Sequence, residues 1–523
     1  MNSINRFLLT KSILSLCLVL LFPNLAKSQD IPSQQSLPKV NRDIELLLNQ
    51  PNQDIPLQLV DAVYLALQNN RDVKMAYIQR IIDRTQLSEA EAKFNPVFTT
   101  QLSLDLRNQY NGSNYSISDA TDSMVSLNAK MRLKLPTGAD FNLQWYGENF
   151  LTKNNLLFNS NSSERNILAN GISVGISQPL LRDFGVGLNS LSIQTARLTE
   201  KANLLTFRNS LAQTITTSII SYRKLLLAQE RLKIEQVSFA NAKEELKKLE
   251  TLLKEGKLTE NDLVERRADL AQKEVNLVAV QSDLTQAISD LTEATNLPLK
   301  MLVAAEKPLP PDSLNLPSFE EMIKLAEENS VSYLYALNNV ENAKFSLRQA
   351  KNQQKLDLRL NVSYNYALNN YGYYGPDNIA KYSDYLDYKD LRSSLTLSRD
   401  FGNVYQDNAV LKSELDLQKA QYSLQTTKDN VNEELRNRVR NVKDSYTQIK
   451  LSQQATVLAQ LRLNSAKERM KNNSNVSMTD IINFEKGVVD AKNQELNAII
   501  THLNFMAQLE QFLGITLNKW VQQ

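Results

Sequence analysis

The tetrapeptide Arg-Asp-Phe-Gly occurs twice in this chain, at Arg182–Gly185 and again at Arg399–Gly402. Each copy ends a run of alternating apolar and polar residues and opens a long helical pattern. A chain written this way is a duplicated strand-then-long-helix unit, which limits what it can fold into more than any other feature.

The duplication extends beyond the tetrapeptide. Leu65-Ala66 pairs with Leu325-Ala326, and Ala90 with Ala350, at a constant offset of 260. Further along, Lys201-Ala202 pairs with Lys419-Ala420, Asp262 with Asp480 and Leu297 with Ile515, at an offset of 218. The first half therefore carries 42 extra residues between its short helix and Arg182, room for one more strand pair.

Alternation locates the strands. Val125, Leu127, Ala129, Met131, Leu133 and Leu135 interleave with Ser126, Asn128, Lys130, Arg132 and Lys134, and a second such run covers Leu356 to Tyr366. Weaker runs cover Leu102–Leu106, Phe141–Gly147, Ile172–Ser177 and Leu391–Leu397, with a tight turn at Pro136-Thr137-Gly138. The pattern predicts four strands in the first half and two in the second, joined elsewhere by long polar loops. Such strands bury one face in a core, or turn it toward lipid around a watery lumen. Segments of about 9–11 residues suit a tilted membrane strand. Past the N-terminus no apolar run reaches about 18 residues, so any membrane insertion must use strands.

The helices follow a different period. Leu191, Leu198, Leu205, Ala212, Ile219 and Leu226 recur every seven residues, as do Leu263, Leu270, Leu277, Leu284 and Leu291 on the return. The second repeat gives Leu417, Leu424 and Val431, then Leu435, Val442 and Ile449. Seven-residue spacing winds helices about each other as coiled coils. A helix from Leu188 to Leu253 would be roughly 100 Å long at about 1.5 Å per residue. Reversals are expected at Glu255-Gly256-Lys257 and at Asn472-Asn473-Ser474-Asn475.

These features divide the chain as follows. Residues 1–28 read as a signal peptide, with Arg6 and Lys11 before an apolar stretch from Ile13 to Phe22 and a small-x-small site at Ala26-Lys27-Ser28. Residues 29–56 form an extended polar linker, 57–300 the first repeat, 301–317 a proline-rich linker, 318–515 the second repeat and 516–523 a tail. The single cysteine, Cys17, lies in the signal, so disulfides, thiolate zinc sites and cysteine nucleophiles are excluded from the mature chain. A net charge of +2 gives no bias toward nucleic acid, and no phosphate-cradling glycine loop is present. One histidine, no mature cysteine and carboxylates spread along helices make no catalytic constellation, so no enzyme and no cofactor is expected.

Six barrel-type strands cannot protect their own edges, and two helical hairpins cannot enclose a tube. Symmetric assembly solves both problems. Three chains would supply about 18 strands if all join one barrel, or about 12 if the extra hairpin stays outside.

In this arrangement the chain resembles the TolC-type outer-membrane efflux protein family. The resemblance rests on the twofold repeat, the junction Gln178-Pro179-Leu180-Leu181-Arg182-Asp183-Phe184-Gly185, the return-helix pieces Asp480-Ile481-Ile482 and Ala491-Lys492, and the ending Leu513-Gly514. It implies an α+β membrane protein with transmembrane β-barrel strands and a long coiled-coil periplasmic α-helical barrel. Such proteins are homotrimers in the outer membrane of Gram-negative-type cells. They dock onto a periplasmic adaptor and an inner-membrane pump, in efflux or type I secretion. The extra strand pair departs from the family's two-plus-two pattern.

The resemblance also points to a periplasmic gate, an acidic ring just after the second hairpin turn. Asp480 falls on its first position, while the second, Asn483, is not acidic. The tyrosine and arginine that tether the closed gate in family members correspond to Lys471 and Val476, so that latch is absent. Asp262 and Glu265 are the counterparts in the first repeat. Ser477-x-x-Asp480 and Thr259-x-x-Asp262 equally fit a helix N-terminal cap, and the two roles are compatible. Gly256, Lys257, Leu258, Ser474, Asn475 and Val476 are candidate adaptor contacts, or plain connecting turns. His502 reads as a packing residue, and the tyrosines from Tyr371 to Tyr388 as a surface loop in preference to an aromatic girdle. Lys130, Arg132 and Lys134 share one strand face and read as a basic ladder facing a lumen rather than a specific anion site. The competing function is a structural coiled-coil protein of the surface or periplasm, to which the alternating strands before each long helix are foreign.

Overall fold

The computed structural model describes residues 55–113, 116–156, 162–255, 260–296, 302–304, 310–311, 313–374, 380–471 and 476–521. The expected signal peptide and most of the expected N-terminal linker lie outside the described residues. A short strand β1 (Ile55–Leu57) leads into helices α1 (Leu59–Asn69) and α2 (Arg71–Glu91). Four strands follow: β2 (Val97–Ser113), β3 (Ser116–Lys134), β4 (Asp140–Leu156) and β5 (Ser162–Pro179). After a single turn, α3 (Val186–Asn189), come α4 (Leu191–Lys254) and its return α5 (Glu260–Thr295). The second half repeats the plan with β6 (Leu302–Ala304), α6 (Phe319–Asn329), α7 (Val331–Gln353), β7 (Asp357–Tyr374), β8 (Ala380–Ser398), α8 (Val404–Lys471) and α9 (Met478–Phe512). A last helix, α10, covers Thr516–Val521.

The six long strands form one antiparallel sheet in the order β2-β3-β4-β5-β7-β8. Its register carries the alternation across neighbours. Leu102 faces Leu127, Leu143 faces Val174, Val174 faces Tyr364, and Tyr364 faces Leu391. One face is thus an apolar band. The other is polar, with Ser103 bonded to Ser126 at 2.6 Å, Ser173 to Asn365 at 2.6 Å and Ser177 to Asn361 at 2.7 Å.

The strands run to 17–19 residues, well past the alternating cores that mark them in sequence. Beyond the apolar band the outward positions turn polar, at Asn108, Thr121, Lys153 and Glu164, yet backbone pairing continues. A ladder needs only N–H and C=O groups, so hydropathy stops before the strand does. The same cause corrects the expected tyrosine-rich loop. Tyr371, Tyr373 and Tyr374 lie on β7, and Tyr382, Tyr385 and Tyr388 lie on β8. Tyr373 is paired with Tyr382 and Tyr371 with Asp384. Tyrosine favours strands, and the interleaved aspartates sit beside it without interrupting the pairing.

All helices leave from one end of the sheet. The first Arg-Asp-Phe-Gly junction is fixed there by the second repeat. Leu180 N–H donates to the Leu358 carbonyl at 2.7 Å, Arg182 pairs with Asp357, and Asn352 and Gln353 donate to the Asp183 carboxylate. Asp183 and Gly185 take positive φ, 62° and 109°, which lets the chain leave a strand and enter a helix in four residues. The second junction, on edge strand β8, is bare, with Phe401 87% exposed.

α4 and α8, of 64 and 68 residues, are rods of about 100 Å. Each packs along its return helix, and α4 also packs on α9. The heptad residues Ala212, Ile219, Leu226, Leu263, Leu291, Val431, Leu435, Val442 and Ile449 are buried. Arg223 Nη1 donates to the Leu503 carbonyl at 2.5 Å and Arg231 Nη2 to Asn497 Oδ1 at 2.7 Å, which ties the two hairpins midway. Parallel pairing of β1 with β6 and the Tyr222 hydroxyl bonded to the Leu57 carbonyl at 2.9 Å join the linkers to this belt. Among the described residues no helix is long and apolar enough to cross a membrane.

Candidate functional site at the helical tips

The ends of the hairpins farthest from the sheet gather charge. Ser477 caps α9. Its hydroxyl accepts from Asp480 N–H at 3.1 Å, and Asp480 Oδ2 accepts from the Ser477 N–H at 3.0 Å and hydroxyl at 2.8 Å. This reciprocal capping box satisfies two amides that a helix start leaves open. The Ser477 amide, then its hydroxyl, hold the exposed Asp480 carboxyl below its ordinary range, so it is ionised at neutral pH.

Glu265 on α5 accepts from the Thr479 hydroxyl at 2.5 Å, one residue from Asp480. The structure thus brings Glu265 and the first turn of α9 together. Asp262 lies in the first turn of α5, and its side chain is outside the described residues. So are Gly256, Lys257, Leu258, Ser474 and Asn475. Val476 is half-buried against the cluster of Leu463, Ala466, Ile481 and Val488.

Sequence reasoning missed the residue that organises this region. Arg266 on α5 is 0% exposed. Its guanidinium pairs with Glu245 of α4, with Asp269 one turn on at 3.1 Å and with Glu485 of α9 at 2.8 Å. Lys467 of α8 closes the network, 3.1 Å from Glu245 and 2.8 Å from Glu485. Lys273 extends it to Ser238 at 2.9 Å. All four long helices therefore contribute. Burial alone would raise the Glu485 carboxyl, but hydrogen bonds and charge from Lys467 and Arg266 outweigh it and hold it low. Burial raises Asp269, against Lys273 and Arg266.

The duplication held the missing signal. At the offset of 218, Arg266 corresponds to Phe484, Glu245 to Leu463 and Lys467 to Leu249. Phe484 and Leu463 pack in one apolar cluster, and Leu249 in another. Charges have replaced apolar seam positions at one level of the tips.

His502 is buried on the α8–α9 seam, with Nδ1 3.0 Å from the Ser445 hydroxyl and its ring 5.6 Å from that of Tyr446. Burial lowers its pKa, so it is neutral. Among the described residues no group of His, Cys, Asp and Glu could hold a metal ion.

A strand block joined to long paired hairpins is a fold met in solved outer-membrane channel structures. The chain shares the fold of CusC, whose structures concern transmembrane channel formation, with TM-score 0.62, 15% identity, and 88% of this chain and 93% of that one covered. It is similar also to the Campylobacter jejuni outer membrane channel CmeC, with TM-score 0.59, 16% identity and coverage of 93% and 90%. The Vibrio cholerae outer membrane protein VceC aligns with TM-score 0.59, 15% identity and coverage of 87% and 96%. No family model and no curated protein matches the chain.

Proposed function

We propose that the protein is the outer-membrane channel of a tripartite efflux or type I secretion system. In this reading it is a homotrimer set in outer-membrane lipid, and it docks through its helical tips onto a periplasmic adaptor and an inner-membrane pump. The observation that carries the reading is the open sheet. Its polar and apolar faces continue across six strands, while edges β2 and β8 have no strand partner among the described residues. Leu102, Leu104 and Leu106 on one edge strand, and Leu391, Leu395 and Leu397 on the other, are exposed. Antiparallel order is preserved if β8 of one copy pairs with β2 of the next. Three copies would then close about 18 strands around a water-filled lumen, with the apolar band against lipid. Exposed Leu411, Leu415, Leu451, Leu458 and Leu461 on α8 give the rods further surface for neighbouring copies.

At the tips, three copies of Asp480 would stand around the threefold axis as a gate, joined by Asp262 and Glu265 from the first hairpin. Like charges there repel one another and attract cations, and widening relieves the repulsion. The capping box keeps Asp480 ionised without blocking this role. The turns at 256–258 and 474–476 are the proposed adaptor contacts.

Purified protein in planar bilayers tests the reading. Stable conductance from a detergent-resistant trimer is expected. A monomer that needs no detergent and carries no current would overturn it in favour of a structural coiled-coil protein.

A further inference from the structure

The helical end of the polar sheet face is unevenly charged. Lys130, Arg132 and Lys134 occupy successive positions of this face on β3, about 7 Å apart, and Arg359 follows Asp357 on it at the start of β7. Lys93, at the end of the turn after α2, leans over the same place. Its ammonium donates to the Asn189 carbonyl at 2.7 Å and to the Ser192 hydroxyl at 3.0 Å. A cavity of about 400 Å³ is lined by Lys93, Lys134 and Arg359, with Asp140 and Asp183 on its wall.

The local carboxylates do not balance these cations. Asp357 is shared by Arg182 and Arg359. Asp183 accepts from Asn352 at 2.8 Å and Gln353 at 3.1 Å, and lies 3.8 Å from Arg359. Asp140, opposite Lys134 in the ladder, is exposed and is the one acid of the cavity wall with no such claim on it among the described contacts. Lys93, Lys130, Arg132 and Lys134 make no ion pair among the described residues. Burial, then the charge of Lys134, push the Lys93 ammonium below its ordinary pKa, as expected of a cation facing another with no counter-ion.

We propose that this cavity and the basic ladder above it form an anion-selecting step, which binds phosphate or carboxylate groups of solutes passing from the helical tunnel into the sheet-walled conduit. The inference rests on the channel reading, since it requires this face to line the lumen. Lysine suits such a step. It is a mobile point charge that holds an anion without the fixed two-point grip of a guanidinium, so a passing group is released. Spaced cations offer successive weak sites, the arrangement that conduction needs.

The test uses the full chain in bilayers of neutral lipid under a tenfold potassium chloride gradient. The reversal potential gives the chloride-to-potassium permeability ratio. K130Q/R132Q/K134Q should lower that ratio at least about twofold, while K130R/K134R leaves it unchanged. Millimolar inorganic phosphate should reduce the wild-type current and not that of the glutamine variant. Should the triple variant fail to assemble, Lys134→Gln alone, at an exposed position, carries the comparison. A conducting glutamine variant with the wild-type ratio and phosphate response overturns the anion step and leaves the channel standing. Absence of any wild-type conductance overturns the channel reading and this inference with it.

Discussion

Arg266 of α5 and Glu485 of α9 stand 2.8 Å apart across the junction of two different hairpins, and the arginine has no contact with solvent. Lys467 reaches the same carboxylate from α8, so this ion cluster crosses from one coiled coil to the other close to its tips.

Removing the arginine alone should therefore be severe. Arg266→Ala leaves Glu245, Asp269 and Glu485 facing one another without their common partner, at a cost of about 3–5 kcal/mol. The double variant R266F/E245L rebuilds the Phe484–Leu463 pair of the second repeat and leaves Glu485 to Lys467. It should recover most of that loss, since apolar replacement of a buried ion pair is often neutral or better. Thermal unfolding of the detergent-purified protein compares the three. Equal destabilisation in both variants would show that the network is not interchangeable with its apolar counterpart.

His502 gives a pH dependence of known sign. Its folded pKa is depressed by burial, so the unfolded chain binds the proton more readily. The neutral form's contribution is complete above the unfolded value of about 6.5 and is lost as pH falls through and below it. His502→Leu, which installs the residue found at the equivalent Leu284, should flatten the melting curve between about pH 6.5 and 5. An unchanged slope in that window would assign it to another group.

Asp480 carries two separable contributions. Asp480→Ala removes the carboxylate half of the capping box and should lower the melting temperature slightly. Asp480→Asn keeps an acceptor for the Ser477 amide but not the charge. It should retain most of the stability and change the cation response of single-channel conductance. Conductance identical to wild type in both variants would leave the residue a cap alone.

The first strand-to-helix junction should tolerate little. Gly185 has φ 109°, a region that residues with a Cβ rarely enter, and Gly185→Ala should cost about 1–3 kcal/mol by thermal unfolding. Gly402 has φ 73°, nearer the left-handed helical region, so Gly402→Ala should cost less, about 1 kcal/mol. The reverse order would mean that the bare second junction is fixed by a neighbour.

Periodicity made the plan of the fold legible before any coordinates. Val125 to Leu135 alternate because one face of β3 is apolar and the other polar. Leu191 to Leu226 recur every seventh residue because α4 buries one stripe. The turn residues Pro136 and Gly138 and the duplicated Arg-Asp-Phe-Gly fixed where one pattern gives way to the other. Strand ends were not legible, because Thr121 and Lys153 pair through backbone atoms that leave no trace in hydropathy. The tyrosines of β7 and β8 were lost for the same reason. Asp480 was legible because its cap is local in sequence. The Arg266 cluster draws on four helices over more than two hundred residues, and only comparison of its seam positions with those of the other repeat could have marked it.

If the sheet closes as the proposed barrel, the reach of the paired backbone beyond the apolar band has a consequence outside the membrane. Nineteen residues at about 3.3 Å, tilted by about 40°, rise roughly 48 Å, while lipid tails fill only about 30 Å. In that barrel a collar of hydrogen-bonded wall would stand proud of the bilayer, at the end of the sheet where Tyr371 lies. On the proposed reading, antibodies or phages would meet a stiff chimney there, one that accepts new side chains readily and inserted peptides poorly.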